Sequence, residues 1–173
     1  MALHDTALDD DLYDEEDSQK DKFLTFQLQR EDYAIETRYV VEIVPIMNIT
    51  HVPDMPDFVR GVINLRGQVI PVMDVRARFR MALREYDERT CVIVVNINDT
   101  HVGLIVDRVS EVTDIPEDCI FPPPKISKDT AARYILGMGK VGEDVKILLD
   151  VSKLLFQEEL EQLNETENQL SES

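Results

Sequence analysis

The sequence predicts an all-β fold built from two small β-barrel subdomains of five strands each. Short runs of alternating or continuous apolar residues recur about every 8 to 12 positions from residue 23 onward, and turn-forming residues separate them. Strands of this kind, joined by tight turns, favour small barrels with antiparallel neighbours. We count about ten strands in two sets of five, divided near residues 84–89. No sequence repeat is visible, so the doubling depends on the strand count alone.

The strands are predicted in chain order. A hairpin joins residues 23–28 to residues 33–35, and residues 37–44 form a helical turn that runs into a strand. Further strands flank residues 64–67 and occupy residues 91–95, 101–106, 109–115, 134–141 and 145–151.

Two helices complete the predicted fold. Val75, Phe79 and Leu83 share one face of a short amphipathic helix, and Asp74 precedes it as a helix cap. A closing helix begins near residue 150, and its apolar face is formed by Phe156, Leu160 and Leu163.

The formal net charge of -17 is concentrated at the two ends of the chain. Residues 1–22 hold nine acids and two lysines, a contribution of -7, and residues 157–173 hold six acids and no base, a contribution of -6. We therefore predict a disordered acidic tail over 1–22, an ordered domain over 23–156, and a helix end with an acidic tail over 157–173.

Composition excludes several classes of function. An acidic field repels nucleic acid and anionic membranes, and no apolar run reaches the roughly 18 residues of a spanning helix. Two cysteines without short spacing indicate thiols in a reducing compartment, and nothing resembles a signal peptide. The three histidines are isolated, so no metal site or cofactor is expected. These features predict a cytoplasmic protein.

The turn at Asn64-Leu65-Arg66-Gly67 is the most informative feature of the sequence. Apolar strands flank it, Gly67 can adopt a positive φ, and Arg66 can project from the bend as a fork of hydrogen-bond donors. The turn carries no nucleophile and no acid–base pair. It therefore favours recognition over catalysis, and we expect the protein not to be an enzyme.

The same tetrad marks a resemblance to the CheW-like family of bacterial chemotaxis coupling proteins. The resemblance spans about residues 23–155 and includes F-L-T-F-Q-L, V-V-E-I, P-D-F-V-R-G-V-I-N-L-R-G-Q-V-I-P-V-M-D-V-R, V-G-L-I-V-D-R-V and I-L-L-D-V-S-K-L-L. It implies two SH3-like five-stranded barrels packed together. It also implies an adaptor that couples the cytoplasmic tips of methyl-accepting chemoreceptors to the regulatory domain of the histidine kinase CheA, recruited to the membrane-associated receptor array.

The resemblance also implies two sets of docking residues. The set that would face the receptor helices comprises Asn64, Arg66, Gly67, Cys91, Val109 and Val112. The set at or behind the kinase-facing edge comprises Val40, Glu42, Val44 and Gly61.

Each of these residues also has a purely structural interpretation. Arg66 can pair with a neighbouring carboxylate, Cys91 can be a small buried side chain, and Gly61 can mark a close approach of two backbones. Val40 and Val44 lie in a β-branched run that packs a core unless one side chain points outward. Val109 and Val112 fall on opposite faces of a regular strand, so both face one groove only if the strand twists or bulges.

Two other functions compete with the chemotaxis adaptor. One is an all-β hydrolase, which would need a pocket with a perturbed acid or nucleophile. The other is a CheW-like adaptor of a different chemosensory pathway, such as twitching motility or surface sensing.

Overall fold

The computed structural model describes residues 20–123 and 133–154, which form two β-sheets. The six-stranded sheet contains β1 (Lys22–Leu28), β2 (Glu31–Glu36), β8 (Arg108–Asp114), β9 (Ile120–Phe121), β10 (Ile135–Val141) and β11 (Asp144–Leu149). The five-stranded sheet contains β3 (Val40–Pro45), β4 (Val59–Leu65), β5 (Gln68–Asp74), β6 (Cys91–Ile97) and β7 (Thr100–Val106). The predicted all-β class is confirmed, and the predicted barrel closure stays a prediction.

The strand order corrects the predicted division near residues 84–89. The sheets run β8-β1-β2-β11-β10-β9 and β3-β6-β7-β5-β4, so each sheet draws strands from both sides of that segment. Two parallel pairs, β2 with β11 and β5 with β7, join strands that are far apart in the chain. A count of strands along the sequence cannot reveal such pairs, because it assumes that neighbours in sequence pair with each other.

The two halves of the chain have the same strand plan. Each half consists of a hairpin, a single strand, a second hairpin and a short helix: β1 to β5 with α1 (Val75–Arg78), then β6 to β11 with α2 (Val151–Leu154). The short strand β9 is an addition to the second half. Each half places its first hairpin in the sheet that holds the other half's remaining strands. The halves are therefore interlocked by an exchange of hairpins.

The hydrogen-bond register repeats between the halves as well. Val40 pairs with Val95 as Val109 pairs with Phe26. The main-chain N–H of Asp74, which caps α1, donates to the carbonyl of Phe58 at 2.8 Å. In the second half, the N–H of Asp150 donates to the carbonyl of Tyr134, also at 2.8 Å. A repeat that the sequence conceals is thus preserved in the backbone.

A shared core lies between the two sheets. Its buried members include Phe26 and Tyr33 of the six-stranded sheet and Ile93 and Leu104 of the five-stranded sheet. Both short helices contribute to it, through Val75 of α1 and Val151, Leu154 of α2. Burial of these side chains fixes the two sheets against each other.

The segment after β5 has a shorter helix than predicted and contains a buried ion pair. Helix α1 ends at Arg78, because Arg80 has a φ of 58° and turns the chain, so Leu83 is exposed rather than on a buried helical face. Arg76 of the same helix is buried and paired with Asp107. This ion pair raises the pKa of the Arg76 guanidinium, chiefly through its hydrogen bonds to Asp107.

Several predictions fall outside the described residues. They are the disorder of the N-terminal tail over most of its length, the apolar face of the closing helix beyond Leu154, and the acidic C-terminal tail. Within the described residues, no helix is long and apolar enough to cross a membrane.

Candidate docking surfaces

The turn between β4 and β5 presents an arginine as the sequence predicts. Arg66 and Gly67 form a two-residue turn with φ angles of 52° and 89°. Both values are positive, as the hairpin turns that match the twist of paired strands require. The side-chain Oδ1 of Asn64 accepts a hydrogen bond from the N–H of Gly67 at 2.8 Å, which holds the turn in this shape.

The Arg66 guanidinium pairs with the carboxylate of Glu42 on β3. The contact agrees with the structural interpretation of Arg66 as the partner of a carboxylate, yet the Arg66 side chain remains 69% exposed and that of Glu42 29% exposed. The pair therefore leaves donors of Arg66 open to solvent. Arg66 belongs to the predicted receptor set and Glu42 to the predicted kinase set, so the two sets are in contact at this ion pair.

Strand β3 forms one edge of the five-stranded sheet, and its two faces differ. Val44 is buried in a core cluster with Val92 and Ile105, so of the two predicted positions, at or behind the kinase-facing edge, it has the one behind it. Val40 is half-buried against the core between the sheets. The outward apolar side chains are instead Val41 and Ile43, which are 49% and 42% exposed.

Gly61 lies where two backbone segments approach each other closely, in agreement with its structural interpretation. Its φ is 144°, and a Cβ at this position would lie 2.1 Å from the carbonyl oxygen of Thr50. Thr50 and Val62 exchange two main-chain hydrogen bonds beside it, of 2.8 and 2.9 Å. The glycine therefore permits a backbone crossing and lies buried in β4.

Strand β8 contains the bulge needed to place Val109 and Val112 on one face. Val109 pairs with Phe26 and Val112 with Leu24, and the register shifts between these pairs. The buried Thr25 hydroxyl fixes the bulge, because it donates to the carbonyl of Glu111 at 2.7 Å and accepts from the Glu111 N–H at 3.2 Å. Val109 packs on the shared core, while the Val112 side chain is 54% exposed.

Cys91 is half-buried, and lies apart from the β4–β5 turn. It begins β6 and pairs with Val106 of β7, three residues before Val109. The β4–β5 turn lies near the opposite end of the sheet, where Gln68 contacts His101 at 2.9 Å. The predicted receptor set thus divides into one group at the turn and a second group at Cys91 and Val109.

The two predicted sets are related through the internal repeat. Val40 and Ile43 of β3 pair with Val95 and Ile93, as Val109 and Val112 of β8 pair with Phe26 and Leu24. We call Val40 and Ile43 the β3 rim, and Val109 and Val112 the β8 rim. In both rims the first valine packs on the shared core and the second side chain is exposed.

Sequence reasoning missed Ile43 and Thr25 as site residues. A regular strand would place Val40 and Ile43 on opposite faces, and only the register shift between Val40 and Glu42 brings them together.

Among residues 20–123 and 133–154, no group of three His, Cys, Asp or Glu side chains could hold a metal ion.

Comparison with known proteins identifies the family. The model of the CheW-like domain matches residues 22–159, which is most of the chain. The chain belongs to the CheW-like domain family.

Individual members of this family resemble the chain over most of their own length. The "Chemotaxis protein CheW" of Klebsiella aerogenes is 40% identical over 139 residues, which cover 80% of this chain and 84% of that protein. The protein of the same name from Treponema pallidum is 32% identical over 146 residues, covering 82% and 86%. A crystal structure titled as the scaffolding protein TtCheW of Thermoanaerobacter tengcongensis superposes with a TM-score of 0.72 at 34% identity, covering 80% of this chain and 90% of that one.

Proposed function

We propose that this protein is a chemotaxis adaptor that holds the histidine kinase CheA at methyl-accepting chemoreceptors. The observation that carries the proposal is the pair of equivalent rims, one on an edge strand of each sheet. Each rim exposes an apolar side chain beside the shared core, where a bound partner would remove it from water. The relatives named as chemotaxis and scaffolding proteins support the same conclusion.

The kinase regulatory domain docks on the β3 rim. Val41 and Ile43 supply exposed apolar area on a strand whose outer edge is unpaired among the described residues. Such an edge can receive a β-rich partner through side-chain packing and main-chain hydrogen bonds. Gly61 contributes indirectly, because it allows the backbone crossing at Thr50 that supports β4 of the same sheet.

The receptor tip docks on the β8 rim and on the β4–β5 turn. A helical hairpin offers an apolar stripe for Val112 and acidic or carbonyl oxygens for the exposed guanidinium of Arg66. The β4–β5 turn belongs to the five-stranded sheet and the β8 rim to the six-stranded sheet, so this partner contacts both sheets.

A chain with two docking surfaces acts by raising the effective concentration of one partner at the other. Each contact can then be modest, while the assembled complex is held strongly. In this role the protein works in the cytoplasm and is recruited to the membrane by its receptor partner. The two SH3-like barrels expected for such an adaptor would correspond to the two sheets, and their closure stays a prediction.

Matched substitutions at the two rims test the proposal. Ile43→Asp and Val112→Asp change equivalent, exposed positions, so both chains are expected to fold. Ile43→Asp should reduce pull-down of the CheA regulatory domain and retain binding of a receptor cytoplasmic fragment. Val112→Asp should do the reverse. Loss of the same partner by both variants, or of neither partner by either variant, would contradict the assignment of two surfaces.

A further inference from the structure

Arg78 lies between two aromatic rings that come from different parts of the fold. Its guanidinium carbon is 4.4 Å from the ring centroid of Phe58, which precedes β4, and 4.6 Å from that of Tyr134, which precedes β10. Its Nε–H donates to the main-chain carbonyl of Leu154, the last described residue of α2, at 2.9 Å. One side chain therefore contacts the residue before β4 in the five-stranded sheet, the residue before β10 in the six-stranded sheet, and the last described residue of α2.

These contacts are centred on the internal repeat. Phe58 and Tyr134 are equivalent residues, since their carbonyls accept the N–H groups of Asp74 and Asp150 at the same distance. Arg78 and Leu154 are also equivalent, because each is the fourth residue after those aspartates. Arg78 thus donates to its own counterpart and lies between a matched pair of rings. Only one of the two equivalent positions carries a charge.

The neighbouring Phe79 extends the contact between the sheets. Its ring lies 6.0 Å from that of Tyr33 and 5.9 Å from that of Tyr134, and Tyr33 in turn lies 6.1 Å from Phe26. Aromatic pairs at these separations attract each other, and a guanidinium over a ring face adds a directional electrostatic contact. Apolar packing alone fixes the distance between sheets less specifically than these oriented contacts do.

We propose that Arg78 is a positioning residue that fixes the orientation of the two sheets and thereby the relation between the β3 rim and the β8 rim. The first part stands on the contacts of Arg78 alone. The second part rests on the proposed function, since it requires that both rims are docking surfaces. Arg78 acts through the placement of the sheets.

Spin-label distances test the first part without any partner. Labels at Asn96→Cys on β6 and Lys140→Cys on β10 report one exposed site on each sheet, with Cys91 and Cys119 replaced by serine. Arg78→Leu copies the residue at the equivalent position 154. It should broaden the distance distribution relative to the parent chain, and Arg78→Lys, which keeps a cation between the rings, should broaden it less. The exposed turn variant Arg30→Leu is the control. An unchanged distribution in Arg78→Leu would overturn the proposal.

Binding measurements test the second part. In Arg78→Leu, the separate affinities for the CheA regulatory domain and the receptor fragment should stay within about twofold, while the affinity for the second partner, once the first is bound, falls about tenfold. A merely structural role would weaken both separate affinities together, and that result would overturn the proposal. Unaltered assembly despite broadened distances would overturn its second part. Failure of the parent chain itself to hold both partners would instead refute the proposed function.

Discussion

Gly61 and Gly67 both have positive φ angles, but their surroundings differ. A Cβ on Gly61 would collide with the Thr50 carbonyl oxygen at 2.1 Å, whereas a Cβ on Gly67 would have no neighbour within 4 Å. Alanine at position 67 therefore meets backbone strain alone, which costs about 1–3 kcal/mol. Alanine at position 61 must also displace a paired backbone segment.

We expect Gly61→Ala to lower the free energy of unfolding by more than about 4 kcal/mol, and Gly67→Ala by a smaller amount. Urea denaturation of the two variants beside the parent chain measures the difference. Equal stabilities would contradict the backbone crossing at Thr50. The prediction also means that lost kinase binding in a Gly61 variant reports a deformed sheet rather than a lost contact.

Arg66 should matter more for binding than for stability. Exposed ion pairs such as Arg66–Glu42 contribute about 0–1 kcal/mol to folding. Arg66→Ala should therefore leave the free energy of unfolding nearly unchanged and weaken receptor binding by about 1–3 kcal/mol. Calorimetric titration with a receptor fragment measures the second effect, and Arg30→Ala, in the exposed β1–β2 turn, is the matched control. Receptor affinity that survives Arg66→Ala would remove this residue from the docking surface.

At the scale of elements, the β8 bulge depends on one buried hydroxyl. Thr25→Val keeps the shape of the side chain and removes both hydrogen bonds to Glu111. Because the Glu111 backbone groups then lose their partner, the variant should lose about 1–3 kcal/mol of stability, and the Glu111 amide should exchange hydrogen faster.

Thr113→Val is the control for this prediction, since Thr113 pairs with Phe23 outside the bulge. If the Glu111 amide exchanged at the same rate in Thr25→Val and Thr113→Val, whether faster than in the parent chain or unchanged, Thr25 would not fix the bulge. Loss of the bulge would also turn Val109 and Val112 to opposite faces, so receptor binding should fall in Thr25→Val and persist in Thr113→Val.

The parallel pair of β2 and β11 is supported by an ion pair between Asp32 and Lys146, whose Oδ2 and Nζ lie 2.7 Å apart. The hydrogen bond from Lys146 lowers the pKa of Asp32 below its ordinary value of 3.8. A carboxyl with a lowered pKa in the folded state stabilises the fold above its ordinary pKa. That contribution is lost as the pH falls through the lowered value.

Asp32→Asn should therefore be less stable than the parent chain near neutral pH, and the gap should narrow as the pH falls below 3.8. Denaturant unfolding across a pH series measures the gap. A gap that is constant over the whole series would contradict the role of the carboxylate charge.

Sequence patterns predicted individual strands, turns and caps better than the contacts between elements that are distant in the chain. Local patterns located the β1–β2 hairpin, the turn at Arg66–Gly67 and the cap at Asp74, because each depends on residues close in the chain. The outward direction of Ile43 and Val112 depends instead on bulges opposite other strands. Burial of Arg76 likewise depends on Asp107, which is distant in sequence.

At the scale of the whole molecule, the exchange of hairpins was beyond the reach of sequence patterns. A hairpin has the same local sequence pattern in either sheet. The sheet to which it belongs is determined by the parallel pairs β2–β11 and β5–β7, which join strands far apart in the chain. The exchange also has a mechanical consequence. Each sheet contains strands of both halves, so the rims on β3 and β8 belong to one interlocked body.

The central claim is that one copy of this chain carries both partners at the same time. Sedimentation velocity of the purified chain with a CheA regulatory domain and a receptor cytoplasmic fragment tests it directly. We predict a complex that contains all three components, with faster sedimentation than either pair. Displacement of one partner by the other, at concentrations that saturate each pair alone, would contradict the account.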